Sequence, residues 1–294
     1  MKLILDGSNL MQRAYWAAST TPGHIDPPFL FLRMLQSYVK QFKPNEIIAC
    51  WDLRSGVNER KQEFDGYKAQ RSYQDEVYKR FGILQEITSY LGVRHMFPLN
   101  READDIIYYL ATQKSTSAII VSQDSDIQQI VEECPGVKVY DPAKKQFIDS
   151  AFLEKKYGVK RGKELLAWKV IKGDKADNVP GIGKRLGKDK LTKLIECVVN
   201  NALDSTNLID EDAKEIIRRN QKLMCLDQVL SELEELAHYD KQLEEEVKPD
   251  FEMALRRIKE LNYESIVNNW SVWSSYFHLD RSLEDLLWTP TRYC

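Results

Sequence analysis

Histidine is scarce in this chain and cysteine is scattered. The four histidines, His24, His95, His238 and His278, stand far apart. They make no metal-binding helix motif and suggest no Ser–His–Asp arrangement, so each reads as surface or satisfied core. The five cysteines, Cys50, Cys134, Cys197, Cys225 and Cys294, are equally dispersed. That excludes zinc-knuckle spacing and leaves soft-metal chemistry without ligands. An odd, scattered count predicts reduced thiols in a cytosolic protein. No apolar run approaches the ~20 residues a membrane helix needs, so no membrane partner is expected. The chain enters a strand pattern at Lys2, and no signal peptide is expected. Internal repeats and low-complexity tracts are absent.

Net charge is nearly absent as well, at −3 with an isoelectric point near 5.9. The average hides a strong division. From Lys155 to Lys193 thirteen Lys/Arg oppose four acids, a local balance of +9; from Asp204 to Glu252 fifteen acids oppose six bases, a balance of −9. A basic face beside an acidic one can bind a polyanion locally while the molecule stays soluble.

The stretch Ile171–Leu191, IKGDKADNVPGIGKRLGKDKL, carries two kinds of chemistry. Asp174 and Asp177 are spaced to turn toward one hard cation. Pro180-Gly181-Ile182-Gly183 follows, then Lys184 and Arg185. A Gly-x-Gly turn between apolar helical segments exposes backbone N–H groups, which with nearby cations make a phosphate seat. The competing interpretation is a solvated helix–loop–helix with capping aspartates.

Along the chain, Leu3-Ile4-Leu5 predicts a buried strand ending at Asp6-Gly7-Ser8-Asn9, followed by helices at about Leu10–Ala18 and Phe29–Phe42. Glu46–Trp51 predicts a second strand, with Asp52 at its carboxyl end. Val93–Phe97, Ser117–Ser122 and Val137–Tyr140 predict three more, and Phe81–Leu91 a helix. Strands alternating with helices imply a parallel α/β sheet. Between Leu53 and Arg80 the chain is polar, with bases interleaved among aromatics: Arg60, Phe64, Tyr67, Lys68, Arg71, Tyr73. That composition suits single-stranded nucleic acid, or a solvated surface loop. From about Ser150 onward the pattern is helical, with Trp270, Trp273, Tyr276, Phe277 and Trp288 as local core.

Acids recur where strands end and helices begin: Asp6, Asp52, Glu102, Asp104, Asp105, Asp124, Asp126, Asp174 and Asp177. In a parallel sheet the sheet-borne members gather on one edge. Like charges a few ångströms apart raise each other's pKa, and divalent cations relieve the repulsion. Two metals about 4 Å apart can clamp a phosphodiester, one activating water and the other stabilising the leaving oxygen.

These motifs, in this order, resemble the bacteriophage and bacterial 5′→3′ exonuclease/flap endonuclease family, the phage RNase H-like 5′-nucleases most of all. The resemblance runs from residue 1 to about 230. It rests on Leu5-Asp6-Gly7-Ser8-Asn9-Leu10; on Arg60 with Tyr67-Lys68-x-x-Arg71; on Glu102-Ala103-Asp104-Asp105; on Ser122-Gln123-Asp124-Ser125-Asp126; and on Gly173-Asp174-x-x-Asp177-Asn178-Val179-Pro180-Gly181-Ile182-Gly183. It implies a PIN-like/resolvase-like parallel sheet with a helical arch at about 53–80. A C-terminal helical region would hold a helix–three-turn–helix at about 163–199. Residues 1–150 would form the nuclease domain and 151–294 the DNA-binding region. The helix start at Gly187-Lys188-Asp189-Lys190-Leu191 is offset from the family's pattern, and the resemblance does not place the acidic C-terminal part.

By this resemblance one Mg²⁺ would lie near Glu102, Asp104, Asp124 and Asp52, with Asp6 and Asp105 acting through waters. A second would lie near Asp124, Asp126, Asp174 and Asp177, and Mn²⁺ could substitute for either. Lys68 and Arg71, with Asp6 and Asp52, would be catalytic. Arg60, Tyr67, Gly181, Gly183, Lys184 and Arg185 would meet DNA. The expected enzyme is a metal-dependent 5′-nuclease, monomeric, in bacterial or phage-infected cytoplasm. It would act on 5′ flaps, nicked or branched duplex, or RNA-primed DNA. The alternatives are a single-strand RNase on the same fold and a non-catalytic branched-DNA binder. Ser282–Trp288 reads either as a helix packed on the core or as a peptide docking a sliding clamp or single-strand-binding protein.

Overall fold

The computed structural model describes residues 1–20, 25–53, 59–69, 75–183 and 186–279. Arg71, Lys184, Arg185 and the segment 282–288 lie outside them. β1 (Lys2–Asp6) runs without a loop into α1 (Gly7–Thr20). Then follow α2 (Pro27–Phe42), β2 (Glu46–Cys50), the short α3 (Glu59–Glu63), α4 (Asp75–Tyr90), β3 (Val93–Met96), α5 (Ala103–Thr112) and β4 (Ala118–Val121). A 3-10 turn at Ile127–Ile130 leads to β5 (Val137–Asp141) and β6 (Gln146–Ile148).

The strand order is β3-β2-β1-β4-β5-β6. The first five are parallel and β6 is antiparallel to β5. All five expected strands are present. The sixth eludes pattern reading because it is three residues long and only Ile148 is buried. Its turn is built by Asp141, whose carboxylate accepts from the amides of Ala143 and Lys144 at 2.8 and 3.0 Å. β1 explains the sheet's two-sided burial. Leu3 and Leu5 belong to one apolar cluster and Ile4 to the other, following the alternation of a strand.

Helices cover both faces. α1, α2 and α4 share a cluster with Leu3 and Leu5, and α5 packs on the side of Ile4. The second half contributes α6 (Ser150–Tyr157), α7 (Gly162–Lys172), the two-residue strands β7 (Gly173–Asp174) and β8 (Val179–Pro180), α8 (Lys188–Val199) and α9 (Glu211–Met224). A 3-10 turn at Leu226–Ser231 precedes α10 (Leu233–Glu244), α11 (Phe251–Glu260), α12 (Glu264–Val267) and α13 (Trp270–Ser275). Helices α6 to α10 join the cluster around Ile4, whereas α11 to α13 cross to the other face, where Trp273 and Phe277 are buried.

Three differences from the sequence reading have local causes. α1 begins at Gly7, three residues before the first apolar position, because the sheet is close there. A Cβ on Gly7 would lie 2.8 Å from the Trp51 ring and 2.9 Å from the Cys50 carbonyl. α4 begins at Asp75, in a polar stretch where hydrophobic periodicity carries no signal. α8 begins at Lys188 with Gly187 as its extended N-cap, which settles the offset seen in the sequence. α7 also starts under constraint. A Cβ on Gly162 would sit 1.9 Å from the Gln129 carbonyl, and the Gly162 amide donates to Val131 at 2.8 Å. Among the described residues, no helix is long and apolar enough to cross a membrane.

Candidate active site

The carboxyl edge of the sheet collects the acids. Asp6, at the end of β1, is 3% exposed and accepts from Ser122 Oγ at 2.7 Å and from the Asn9 amide at 3.0 Å. Ser122 Oγ in turn accepts from the Asp124 amide at 3.0 Å, so one hydroxyl joins the ends of β1 and β4. Asp52 follows β2. Its carboxylate accepts from the Ala103 amide at 2.9 Å, pinning it to the first turn of α5. Asp104 rises from that turn. One carboxylate oxygen each from Asp104, Asp124 and Asp126 lies within 4.8 Å of the others.

These acids hold protons unusually tightly. Burial, with Asp124 and Asp52 nearby, pushes Asp6 up to about 7 despite its hydrogen bonds. Burial and the neighbouring Asp126 push Asp124 up to about 6. Asp104 is raised well above the usual carboxylate range by burial, Asp124 and Asp6. Such a cluster is short of positive charge, and its all-oxygen donor set fits a hard divalent cation.

Two lysines flank the three aspartates. Lys169, on α7, is 4% exposed. Its ammonium contacts Asp126, lies 2.7 Å from Asp174 Oδ2 and donates to Ser125 Oγ at 2.9 Å. Burial disfavours its charge, but Asp126 and Asp174 outweigh that and raise its pKa. Asp174 is correspondingly lowered: burial acts against the carboxylate, and Lys169 more than compensates. The sequence reading missed Lys169, although a signal existed. It stands four residues after the fully buried Leu165 on α7, hence on an inward face where a lysine requires acidic partners.

Lys68 approaches from the other side. Its Nζ lies 2.7 Å from Glu102 Oε1 and 3.8 Å from Asp177 Oδ2, and its charge offsets part of the rise at Asp104 and Asp124. Glu102 is the N-cap of α5 and forms a capping box with Asp105. It accepts from Arg60 Nη1 at 2.7 Å and the Tyr67 hydroxyl at 2.9 Å. Burial alone would raise Glu102, but Lys68 and Arg60 hold it well below the ordinary range. Asp105 is fully buried and takes Arg60 in a fork, at 2.9 and 2.8 Å.

The grouping therefore differs from the expected one. Asp126 joins Asp104 and Asp124, while Glu102 and Asp105 face bases. Asp174 is held by Lys169, and Asp177 is beside Lys68. Arg60, expected at the DNA, is 3% exposed and sits inside, and Tyr67 is 2% exposed. At that depth both side chains hold the limb of residues 59–69 on the start of α5, through Glu102 and Asp105, and present little surface to a ligand.

Beside this edge, β7 and β8 close a hairpin in which Gly173 pairs with Pro180 and Asp174 with Val179. The Ile182 amide donates to Ile171 at 3.1 Å. The buried Asn220 of α9 donates to the carbonyls of Val170 and Pro180, both at 2.9 Å. A Cβ on Gly181 would meet the Lys172 backbone at 2.3 Å, whereas Gly183, at φ 67, has nothing within 4 Å. One glycine is thus required for packing, and the other lies open in a left-handed turn.

A parallel sheet with a carboxylate-lined edge and a braced glycine hairpin defines a resolvase-like nuclease. The family of 5′-3′ exonucleases, through its N-terminal resolvase-like domain, matches residues 1–158, and the chain belongs to that family. It is 29% identical over 278 residues to a 5′-3′ exonuclease of Aquifex aeolicus, covering 90% of this chain and 93% of the relative. It is 30% identical over 213 residues to the flap endonuclease Xni of Shewanella denitrificans, covering 69% and 82%. The fold is that of the bacteriophage T5 flap endonuclease solved with DNA and metal ions. That likeness has a TM-score of 0.65 at 18% identity, over 82% of this chain and 96% of the other. The protein is a nuclease.

Proposed function

We propose that this nuclease hydrolyses phosphodiesters at 5′ flaps, nicks or RNA primers, using divalent cations held at the acid edge. The observation that carries the reading is the convergence of Asp104, Asp124 and Asp126 within 4.8 Å, with Lys68 and Lys169 on either side. The names of the relatives above support the substrate class. Bound Mg²⁺, two ions in this reading with Mn²⁺ as a substitute, would supply an activated water and stabilise the leaving oxygen.

The chain's own groups do the rest. Asp104, Asp124 and Asp126 would hold one cation, with Asp174 and Asp177 beside a second, and Asp6 and Asp52 fix the edge through Ser122 and the start of α5. Glu102 aims Lys68, whose ammonium has three donors and can share one with a scissile phosphate oxygen. Arg71 serves the same phosphate. Gly181 and Gly183 seat the duplex backbone, and Lys184 and Arg185, next in sequence, add positive charge for it. In this division residues 1–150 supply most of the acid edge, completed by Lys169, Asp174 and Asp177, and 151–294 supply much of the grip.

A 5′-labelled flap tests the reading. Cleavage is expected in Mg²⁺ and abolished in EDTA, while Ca²⁺ supports binding without turnover. Full cleavage in excess EDTA overturns it.

A further inference from the structure

The limb that carries Lys68 is tied to the hairpin that carries the glycine turn. Asn178 Nδ2 donates to the Gly66 carbonyl at 2.8 Å, and the Lys68 amide donates to the Asp177 carbonyl at 2.9 Å. Two adjacent bonds thus join residues 66–68 to residues 177–178. Both Lys68 and Asn178 are in the left-handed region, at φ 52 and φ 56. Asparagine tolerates that conformation, but lysine does so at a cost of roughly 1 kcal/mol, so Lys68 keeps it only while its surroundings hold it there.

Other contacts also hold the limb: the Ala69 amide donates to the Gly66 carbonyl at 3.2 Å, closing the turn around Lys68, and the Tyr67 hydroxyl donates to Glu102 at 2.9 Å. Lys222 pairs with Glu63 at 2.8 Å, and the Arg219 guanidinium lies 4.7 Å from the centre of the Phe64 ring. The hairpin end of the link is firm. β7 pairs with β8, Ile182 bonds Ile171, and Asn220 holds the Pro180 carbonyl. Only two residues separate Asn178 from Gly181.

We propose that Asn178 is a positioning residue for Lys68, its side-chain bond to Gly66 fixing the lysine's register on the acid edge relative to the glycine turn. Duplex seated at Gly181 and Gly183 then meets a lysine already at a set distance from its backbone. This inference rests on the reading in which Lys68 reaches the reacting phosphate.

The test is a double-mutant cycle in single-turnover flap cleavage, with Kd for the same flap measured in Ca²⁺. Asn178→Gly removes the donor but accepts the positive φ; Asn178→Asp keeps the shape and turns an oxygen toward the Gly66 carbonyl. Each is expected to slow cleavage about fivefold, the scale of one net hydrogen bond; Kd should be unchanged for Asn178→Gly, while the added charge of Asn178→Asp weakens binding as well. In a Lys68→Ala background neither is expected to slow cleavage further. An equal loss in both backgrounds overturns the inference, as does a wild-type rate for Asn178→Gly or a loss confined to Kd. Lys68→Ala cleaving at the wild-type rate overturns instead the role given to Lys68, and the Asn178 inference falls with it.

Discussion

Lys169 Nζ lies 2.7 Å from Asp174 Oδ2 while also contacting Asp126, so one buried ammonium neutralises carboxylates from two separate parts of the chain. Lys169→Met keeps the length and removes the charge, leaving both acids uncompensated. Breaking a buried pair costs about 3 kcal/mol or more, which is several degrees in Tm for a chain of this size. The loss is expected in EDTA and should shrink when Mg²⁺ or Mn²⁺ is added, because a cation can replace the ammonium. Thermal melts of both proteins across a metal titration decide this. A loss independent of metal shows that Lys169 serves packing alone.

Lys68→Ala is expected to lower single-turnover cleavage roughly 10²-fold, the scale of one preorganised transition-state contact. Flap affinity in Ca²⁺ should change little. Unchanged cleavage with collapsed affinity makes the residue a grip.

Asp177 is 6% exposed and 3.8 Å from the Lys68 ammonium. Asp177→Asn is expected to bind branched DNA in Ca²⁺ at least as tightly as wild type, since a negative charge facing a polyanion is gone. Cleavage in Mg²⁺ should fall strongly. Affinity at two salt concentrations should keep a steep slope, up to ~0.9 in log K per phosphate neutralised, supplied by the basic run around the turn. Near-normal cleavage makes Asp177 a structural acid; lost binding by folded protein makes it a shaper of the hairpin.

His95 sets a pH dependence away from the acid edge. Trp51 Nε1 donates to its Nδ1 at 2.8 Å, so Nε2 carries the proton, 3.2 Å from Thr88 Oγ1. Burial lowers His95 from 6.5 to about 4. Above pH 6.5 it is neutral folded or unfolded. As pH falls from 6.5 to about 4, the unfolded chain takes a proton that the folded chain refuses, and stability declines by up to about 3 kcal/mol. Asp6, raised by burial, acts with the opposite sign in metal-free protein. The difference between wild type and His95→Gln therefore isolates the histidine. That difference is expected to vary between pH 4 and 6.5 and to be flat above; parallel denaturation profiles throughout would remove the assignment.

The parallel sheet was legible because its two central strands are short apolar runs ending in an acid or serine: Leu3-Ile4-Leu5 before Asp6, Ile119-Ile120-Val121 before Ser122. Spacing also identified the acids but not their partners. Asp104 and Asp105 are neighbours in sequence, yet one faces the cluster and the other takes Arg60, because successive helical residues point about 100° apart. Ser122 stood in a recognised motif without a role, since its function is to bridge Asp6 and the Asp124 amide across two strands 116 residues apart. Lys169 went unnoticed among the many lysines of its basic stretch. Only its place on the inward face of α7 separates it from them.

Gly162 is a spacer of zero thickness. It lets the first turn of α7 rest directly on the Gln129 carbonyl, seven residues and two turns before Lys169, about 10 Å along the same face. A methyl there would act as a shim, tilting the helix away from the 3-10 turn that follows Asp126 and drawing the ammonium off both carboxylates. Anyone grafting residues 162–199 onto another sheet of this class must carry that glycine across, or recess the backbone that receives it. The reach of a lysine would otherwise be spoiled by an alanine two helical turns away.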